Sequence, residues 1–229
     1  MLKAVIFDID GTLIDSVDLH ARAWQETFSK FGREIEHEKV RHQIGKGGDQ
    51  LMPVFFSEEE LKRFGEAMEK YRGDLFKRDY LPRVRAFPAV RELFERVRRE
   101  GLRVALASSA KEDEIKVYKK IARISDLVEE ETSADDADKS KPHPDIFVAT
   151  LKQLGDVRAD EAIVVGDTPY DAEAALKAGL RTVGVLCGGF PAGELRAAGC
   201  SEIYQDPADI LACYDETPLA RPASASAPR

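Results

Sequence analysis

Ala4-Val5-Ile6-Phe7-Asp8-Ile9-Asp10-Gly11-Thr12 runs four apolar residues straight into two aspartates, a glycine and a threonine. An unbroken apolar run of this length reads as a strand covered on both faces, as in parallel sheets. Residues two apart in a strand point the same way, so Asp8 and Asp10 share a side at its carboxyl end, where such sheets bind ligands. Neighbouring carboxylates repel; a cation between them or a proton on one relieves this, and both conditions serve catalysis. Taken alone, Asp8-Ile9-Asp10-Gly11-Thr12 has a second reading as a turn, with an aspartate at a helix N-cap and Gly11 supplying a positive φ.

The same signature returns at Val104 to Ala107, Ala162 to Val165 and Thr182 to Leu186, and more weakly at Ile203 and Tyr204. Between these runs lie helical stripes: Val90, Leu93, Phe94 and Val97; Ile115, Tyr118 and Ala122; Phe147, Thr150, Leu151 and Leu154. Strands alternating with helices predict an α/β domain, a doubly wound parallel sheet with a Rossmann-like core. The rhythm breaks from 15 to 80. There Val17, Ala21, Trp24, Phe28 and Phe31, then Leu61, Phe64, Met68, Tyr71 and Leu75, have helical spacing, which predicts an inserted helical cap domain with a small core of its own. The expected division is therefore a core of 1–14 and 81–213, a cap of 15–80, and a disordered tail of 214–229, rich in Pro, Ala and Ser.

Lys and Arg number 34 against 42 Asp and Glu, a net charge of −8, which argues against a nucleic-acid partner. No apolar run approaches the roughly 20 residues that span a bilayer, and the first ten residues lack a signal peptide's pattern, so no membrane partner and a cytoplasmic location are expected. Cys187, Cys200 and Cys213 have no CxxC spacing and support neither a disulfide framework nor a zinc site.

Three further stretches carry candidate residues, the first and last of them directly after predicted strands. Ser108-Ser109 offers hydroxyls and amide hydrogens at a helix start, an arrangement that binds anions, although a serine there is often only a cap. Lys141 stands before Pro142 and Pro144, which restrict the backbone around it. Gly166-Asp167-Thr168-Pro169-Tyr170-Asp171 brings two carboxylates into reach of one pocket, a donor set that suits Mg²⁺, unless Asp167 merely caps the next helix. All these stretches would meet on one sheet edge.

In these residues the chain resembles the haloacid dehalogenase superfamily of phosphatases and related hydrolases, from the first strand to about residue 210. Asp8-Ile9-Asp10-Gly11-Thr12 is similar to the first motif, Ser108 to the second, Lys141 to the third, and Gly166-Asp167 with Asp171 to the fourth. The resemblance implies that Asp8 attacks phosphorus and forms an aspartyl phosphate, and that Asp10 serves as general acid and then base. It implies that Mg²⁺ is held by Asp8, the Asp10 carbonyl and Asp167, and that Ser108 and Lys141 hold phosphoryl oxygens. Asp171 would orient Lys141 or a water. Dehalogenases of the superfamily lack the second aspartate of the first motif; its presence as Asp10 favours phosphoryl transfer from oxygen.

Gly11, Thr12 and Ser109 are further expected substrate contacts. So are Gly45, Lys46 and Gly47 in a glycine-rich cap loop that in similar enzymes closes over the substrate, although the loop also reads as a plain turn. His20 resembles a residue that assists proton transfer in sugar phosphomutases. The expected function is that of a monomeric Mg²⁺-dependent phosphatase acting on a small phosphorylated metabolite. A hexose-phosphate mutase is the alternative, and a non-catalytic binding protein on the same fold the third reading.

Overall fold

The structure, a computed structural model, describes residues 1–220. One parallel sheet contains β1 (Ala4–Phe7), β2 (Arg103–Ala107), β3 (Glu130–Thr132), β4 (Ala162–Gly166), β5 (Arg181–Val185) and β6 (Cys200–Tyr204). Their spatial order is β3-β2-β1-β4-β5-β6, and every pairing is parallel. The chain winds from β1 to one edge, crosses back to β4, and winds to the other edge. This is the doubly wound, Rossmann-like sheet, and its ligand crevice lies where the winding reverses, at the carboxyl ends of β1 and β4.

Alternate residues of β1 enter different cores. Val5 and Phe7 pack with Leu93, Phe94 and Val97 of α3 (Val90–Arg99) and with Ile115 and Tyr118 of α4 (Glu112–Ala122). Ala4 and Ile6 pack with Ile146 and Phe147 of α5 (Asp145–Leu154) and with Ala174 and Ala175 of α6 (Pro169–Lys177). The strand β3 has no apolar run to betray it. It lies on the edge, where Glu130 and Glu131 pair with Arg103 and Lys119 rather than entering a core.

Between β1 and α3 come α1 (Val17–Lys30) and α2 (Glu58–Leu75), with short helices at His37–Arg41 and Gly48–Leu51. Ser57 starts α2 with a capping box to Glu60. Val17, Ala21, Trp24, Phe28 and Met68 are buried in an apolar cluster separate from those of the sheet. The two chain crossings pair with each other, Ile14–Asp15 antiparallel to Arg85–Ala86. The expected inward stripe on α2 needs correction at Tyr71, which is 36% exposed. Arg72, four residues after Met68 and three before Leu75, takes the inward position.

The expected disorder from 214 is also corrected. Tyr214 and Leu219 are buried in the cluster that contains Val5 and Val97, and the Tyr214 ring lies 4.7 Å beneath the Arg96 guanidinium. A tyrosine and a leucine bring enough apolar area to anchor the segment, which an average over a Pro-, Ala- and Ser-rich composition conceals. Residues 221–229 of that predicted tail lie outside the described residues.

Candidate active site

Asp8 stands just past β1 and Asp167 just past β4, so adjacent strands bring them together. Asp8, Asp167 and Asp171 are all buried, and each offers an oxygen within 4.8 Å of the others. Lys141, 1% exposed, enters this cluster from the turn before α5. Its ammonium donates to Asp8 Oδ1, lies 2.7 Å from Asp171 Oδ1, and donates to the Ala107 carbonyl at 3.1 Å. The Thr12 hydroxyl lies 3.0 Å from Asp167 Oδ1 and 3.3 Å from Asp8 Oδ2. The cap of α6 is Thr168, whose hydroxyl accepts the Asp171 N–H at 3.1 Å, while Asp171 Oδ2 accepts the Thr168 N–H at 3.1 Å. Asp167 therefore does not cap the helix, and its carboxylate faces the cluster instead.

Among the described residues, Asp167 Oδ2 is buried without a hydrogen-bond partner. Two backbones close on it: a Cβ at Gly11, whose φ is +85°, would lie 2.3 Å from this oxygen, and a Cβ at Gly188 1.6 Å. Three carboxylates facing one ammonium, with one oxygen orphaned and side-chain-free backbone around it, fit a hard divalent cation with oxygen ligands. Burial raises the Asp8 carboxyl to about 7; Lys141 opposes the rise and Asp171 adds to it. Burial raises Asp167 well above the ordinary range, with Asp8 and Asp171 adding repulsion. Burial disfavours the charge of Lys141, but Asp171 and Asp8 outweigh it and hold the ammonium above its usual value.

Asp10 faces the other way. Its Oδ1 accepts the Ser16 hydroxyl at 2.5 Å and lies 2.9 Å from His20 Nε2. His20 is stacked on Phe76 with ring centroids 3.9 Å apart, and its Nδ1 lies 2.7 Å from Arg72 Nη2. A guanidinium only donates, so Nδ1 accepts and Nε2 carries the hydrogen directed at Asp10. The Tyr118 hydroxyl, from α4, lies 3.1 Å from the same Nε2. Burial works against a charged Asp10, but His20, Ser16 and Arg72 prevail and keep its carboxyl below the ordinary range. The Asp10 carboxylate is not among the three that converge, so its share in a cation would come through the backbone carbonyl, as the resemblance implies.

A cavity of about 40 Å³ connects the two groups, lined by Asp8, Asp10 and Ser108 on the sheet side and by His20, Trp24 and Arg72 on the helical side. It opens into an outer cleft of about 560 Å³ that shares Trp24, Arg72 and Glu114. The Ser108 hydroxyl accepts the Ala110 N–H at 3.0 Å, and Ser109 faces the Gly45 carbonyl at 3.5 Å. Gly45 and Lys46 line the cavity. Lys46 is engaged sideways, donating to Gln43 Oε1 at 2.6 Å and lying 4.5 Å above the Tyr170 ring. Gly47 does not line this inner cavity but lines the outer cleft, packed on Ser140.

Sequence reasoning passes over Arg72 and Glu114 as site residues. Each nevertheless carries a signal, a charge at helical spacing on an apolar face: Arg72 between Met68 and Leu75, and Glu114 one turn before Tyr118. Gly188, against Asp167, carries no such signal.

A doubly wound sheet with carboxylates and a lysine gathered at its switch point defines a class of hydrolases. The chain belongs to the haloacid dehalogenase-like hydrolases, whose family model matches residues 5–185. It is 30% identical over 188 residues to the putative pyrophosphatase PpaX of Caldanaerobacter subterraneus subsp. tengcongensis, covering 80% of this chain and 81% of that protein. It is 27% identical to the phosphoglycolate phosphatase of Aquifex aeolicus, covering 82% of this chain and 86% of that protein. Identity is 32% to the chloroplastic protein SUPPRESSOR OF QUENCHING 1 of Arabidopsis thaliana; the match takes in 91% of this chain but spans only 20% of that protein's length. The crystal structure of a hydrolase from Pseudomonas syringae superposes with a TM-score of 0.81 at 31% identity, over 93% of this chain and 98% of that one. The chain is thus a hydrolase with homologues named as phosphatases and pyrophosphatases, consistent with a phosphoric monoester hydrolase. No helix among the described residues is long and apolar enough to cross a membrane.

Proposed function

We propose that the protein is a Mg²⁺-dependent phosphatase of small phosphorylated metabolites. The observation that carries this reading is the buried cluster of Asp8, Asp167 and Asp171 around Lys141, with Asp167 Oδ2 left unpartnered. Asp8, the Asp10 carbonyl and Asp167 would hold the ion, which when bound supplies positive charge against phosphoryl oxygens. Asp8 is the nucleophile: its carboxylate forms the new bond to phosphorus as the ester oxygen departs, giving an aspartyl phosphate that water then cleaves. Lys141 holds Asp8 in place and, with Ser108, meets the phosphoryl oxygens. Asp10, kept below the ordinary carboxyl range, is ready as the base for the water. Its acid role in the first step then depends on a proton that arrives with the substrate.

The protein is further proposed to act as a monomer, in the cytoplasm, which its three free thiols suit. A hexose-phosphate mutase is the second reading, favoured by the 2.9 Å contact of His20 with Asp10. Both are tested by measuring phosphate release from p-nitrophenyl phosphate and a metabolite panel, with Mg²⁺ and with EDTA, while following β-glucose 1-phosphate for its 6-isomer. Phosphate release abolished by EDTA is expected. Isomer formation with little free phosphate would overturn the phosphatase in favour of the mutase.

A further inference from the structure

Glu114 is a buried carboxylate that the proposed chemistry does not use. It lies in the first turn of α4, 2% exposed, and lines both the inner cavity and the outer cleft beyond Asp10. No donor among the described residues reaches its carboxylate within hydrogen-bond distance. The nearest cation is Arg72, whose Nη1 is 3.7 Å from Oε1. Arg72 is itself incompletely satisfied: its Nη2 serves His20, and its Nη1, beside Glu114, makes no hydrogen bond among the described residues. The wall facing the departing half of a substrate therefore presents an acceptor with spare lone pairs beside a donor with a spare hydrogen, next to the indole of Trp24.

A hydroxyl group satisfies this pair, because its hydrogen goes to Glu114 and its oxygen accepts from Arg72. A carboxylate or a second phosphate does not: it would set a like charge against Glu114 and Asp10. We propose that Glu114 is a specificity-determining residue that accepts a hydrogen bond from a hydroxyl of the departing group. The chain then selects phosphate esters of sugars and polyols over esters with an anionic departing group. This rests on the phosphatase reading above.

The experiment compares kcat/KM with Mg²⁺ for glucose 1-phosphate, glycerol 1-phosphate and 2-phosphoglycolate in the wild type, Glu114→Gln and Glu114→Asp, with p-nitrophenyl phosphate run on the wild type. The wild type should favour the hydroxylated esters. Glu114→Gln should lower their kcat/KM relative to phosphoglycolate by about 10- to 100-fold, mainly through KM, because a neutral acceptor replaces a charged one and the repulsion of an anionic departing group is removed. Glu114→Asp keeps the charge and withdraws it by one methylene, so it should give a smaller change of the same sign and cover the case in which the glutamine variant fails to fold. A wild type that prefers phosphoglycolate, or a preference that neither variant moves, would overturn the proposal. Absence of any turnover of p-nitrophenyl phosphate would instead strike at the phosphatase reading.

Discussion

Asp8 and Asp167 meet because their strands are neighbours, whereas Asp10, His20, Arg72 and Glu114 meet because two separately packed regions touch. In the first group the sheet's hydrogen bonds fix the backbone directly beneath each short side chain, and β1 pairs with β4 up to Phe7 and Val165. In the second, long side chains reach across from α1, α2 and α4, and their positions depend on how the helical insertion sits on the sheet. The lesson is one of tolerance. On the proposed function the nucleophile and the cation's ligands would be held by the rigid element, and, Asp10 apart, recognition would be left to side chains that can be exchanged without disturbing it.

That contrast can be broken most decisively at Asp8. Asp8→Asn should leave the far-ultraviolet circular dichroism unchanged and cut phosphate release on the order of 10⁴-fold or more, as removal of a nucleophile does; substantial residual turnover would remove the chemistry from the acid cluster. Lys141→Met tests the cluster as architecture. It strands Asp8 and Asp171 without their buried cation and should cost about 3–5 kcal/mol in urea unfolding. An unchanged midpoint would mean that the pairs are not stabilising.

Asp167→Asn sharpens the comparison by separating cation from fold. Because Asp8 and Asp167 titrate above the unfolded carboxyl value of 3.8, the native state binds more protons between that value and about 7. In EDTA, stability should therefore fall as pH rises through that window, since the unfolded chain releases those protons first. Mg²⁺ should restore it, by roughly 2.7 kcal/mol at a hundredfold excess over Kd. The Asn variant should melt higher than wild type in EDTA and lose most of the Mg²⁺ response, both read by calorimetry. A full Mg²⁺ response in the variant would exclude Asp167 as a ligand. The smallest effect belongs to the other group: Tyr118→Phe removes one hydroxyl from His20 and should cost about 1 kcal/mol or less, with only a few-fold change in rate. A loss as large as that of Lys141→Met would show the recognition wall to be as rigidly built as the cluster.

The same difference explains what the sequence made readable. Asp8, Lys141, Asp167 and Asp171 are each announced locally, by an apolar run or by prolines, and the fold follows from those runs. The contact of Arg72 with His20 joins residues 52 apart, and that of Tyr118 with His20 residues 98 apart. No local periodicity encodes such distances. What could be seen was the anomaly, a charge on an apolar helix face, and on α2 the aromatic Tyr71 masked it by offering a more conventional inward residue one position away. The strand β3 escaped for the opposite reason, since an edge strand with paired acids need not look apolar.

The burial of Leu219 bears on the order in which the protein can be finished as it is made. The face of the sheet that packs on α5 and α6 draws its last buried residue from Cys200, but the face that packs on α3 and α4 waits for Leu219. Chains emerge amino end first, and domains generally fold as units. During synthesis one side of β1 can therefore be sealed while the other, with Val5, Phe7 and Val97, still has an open seam. That seam is the surface a nascent chain would present to chaperones longest.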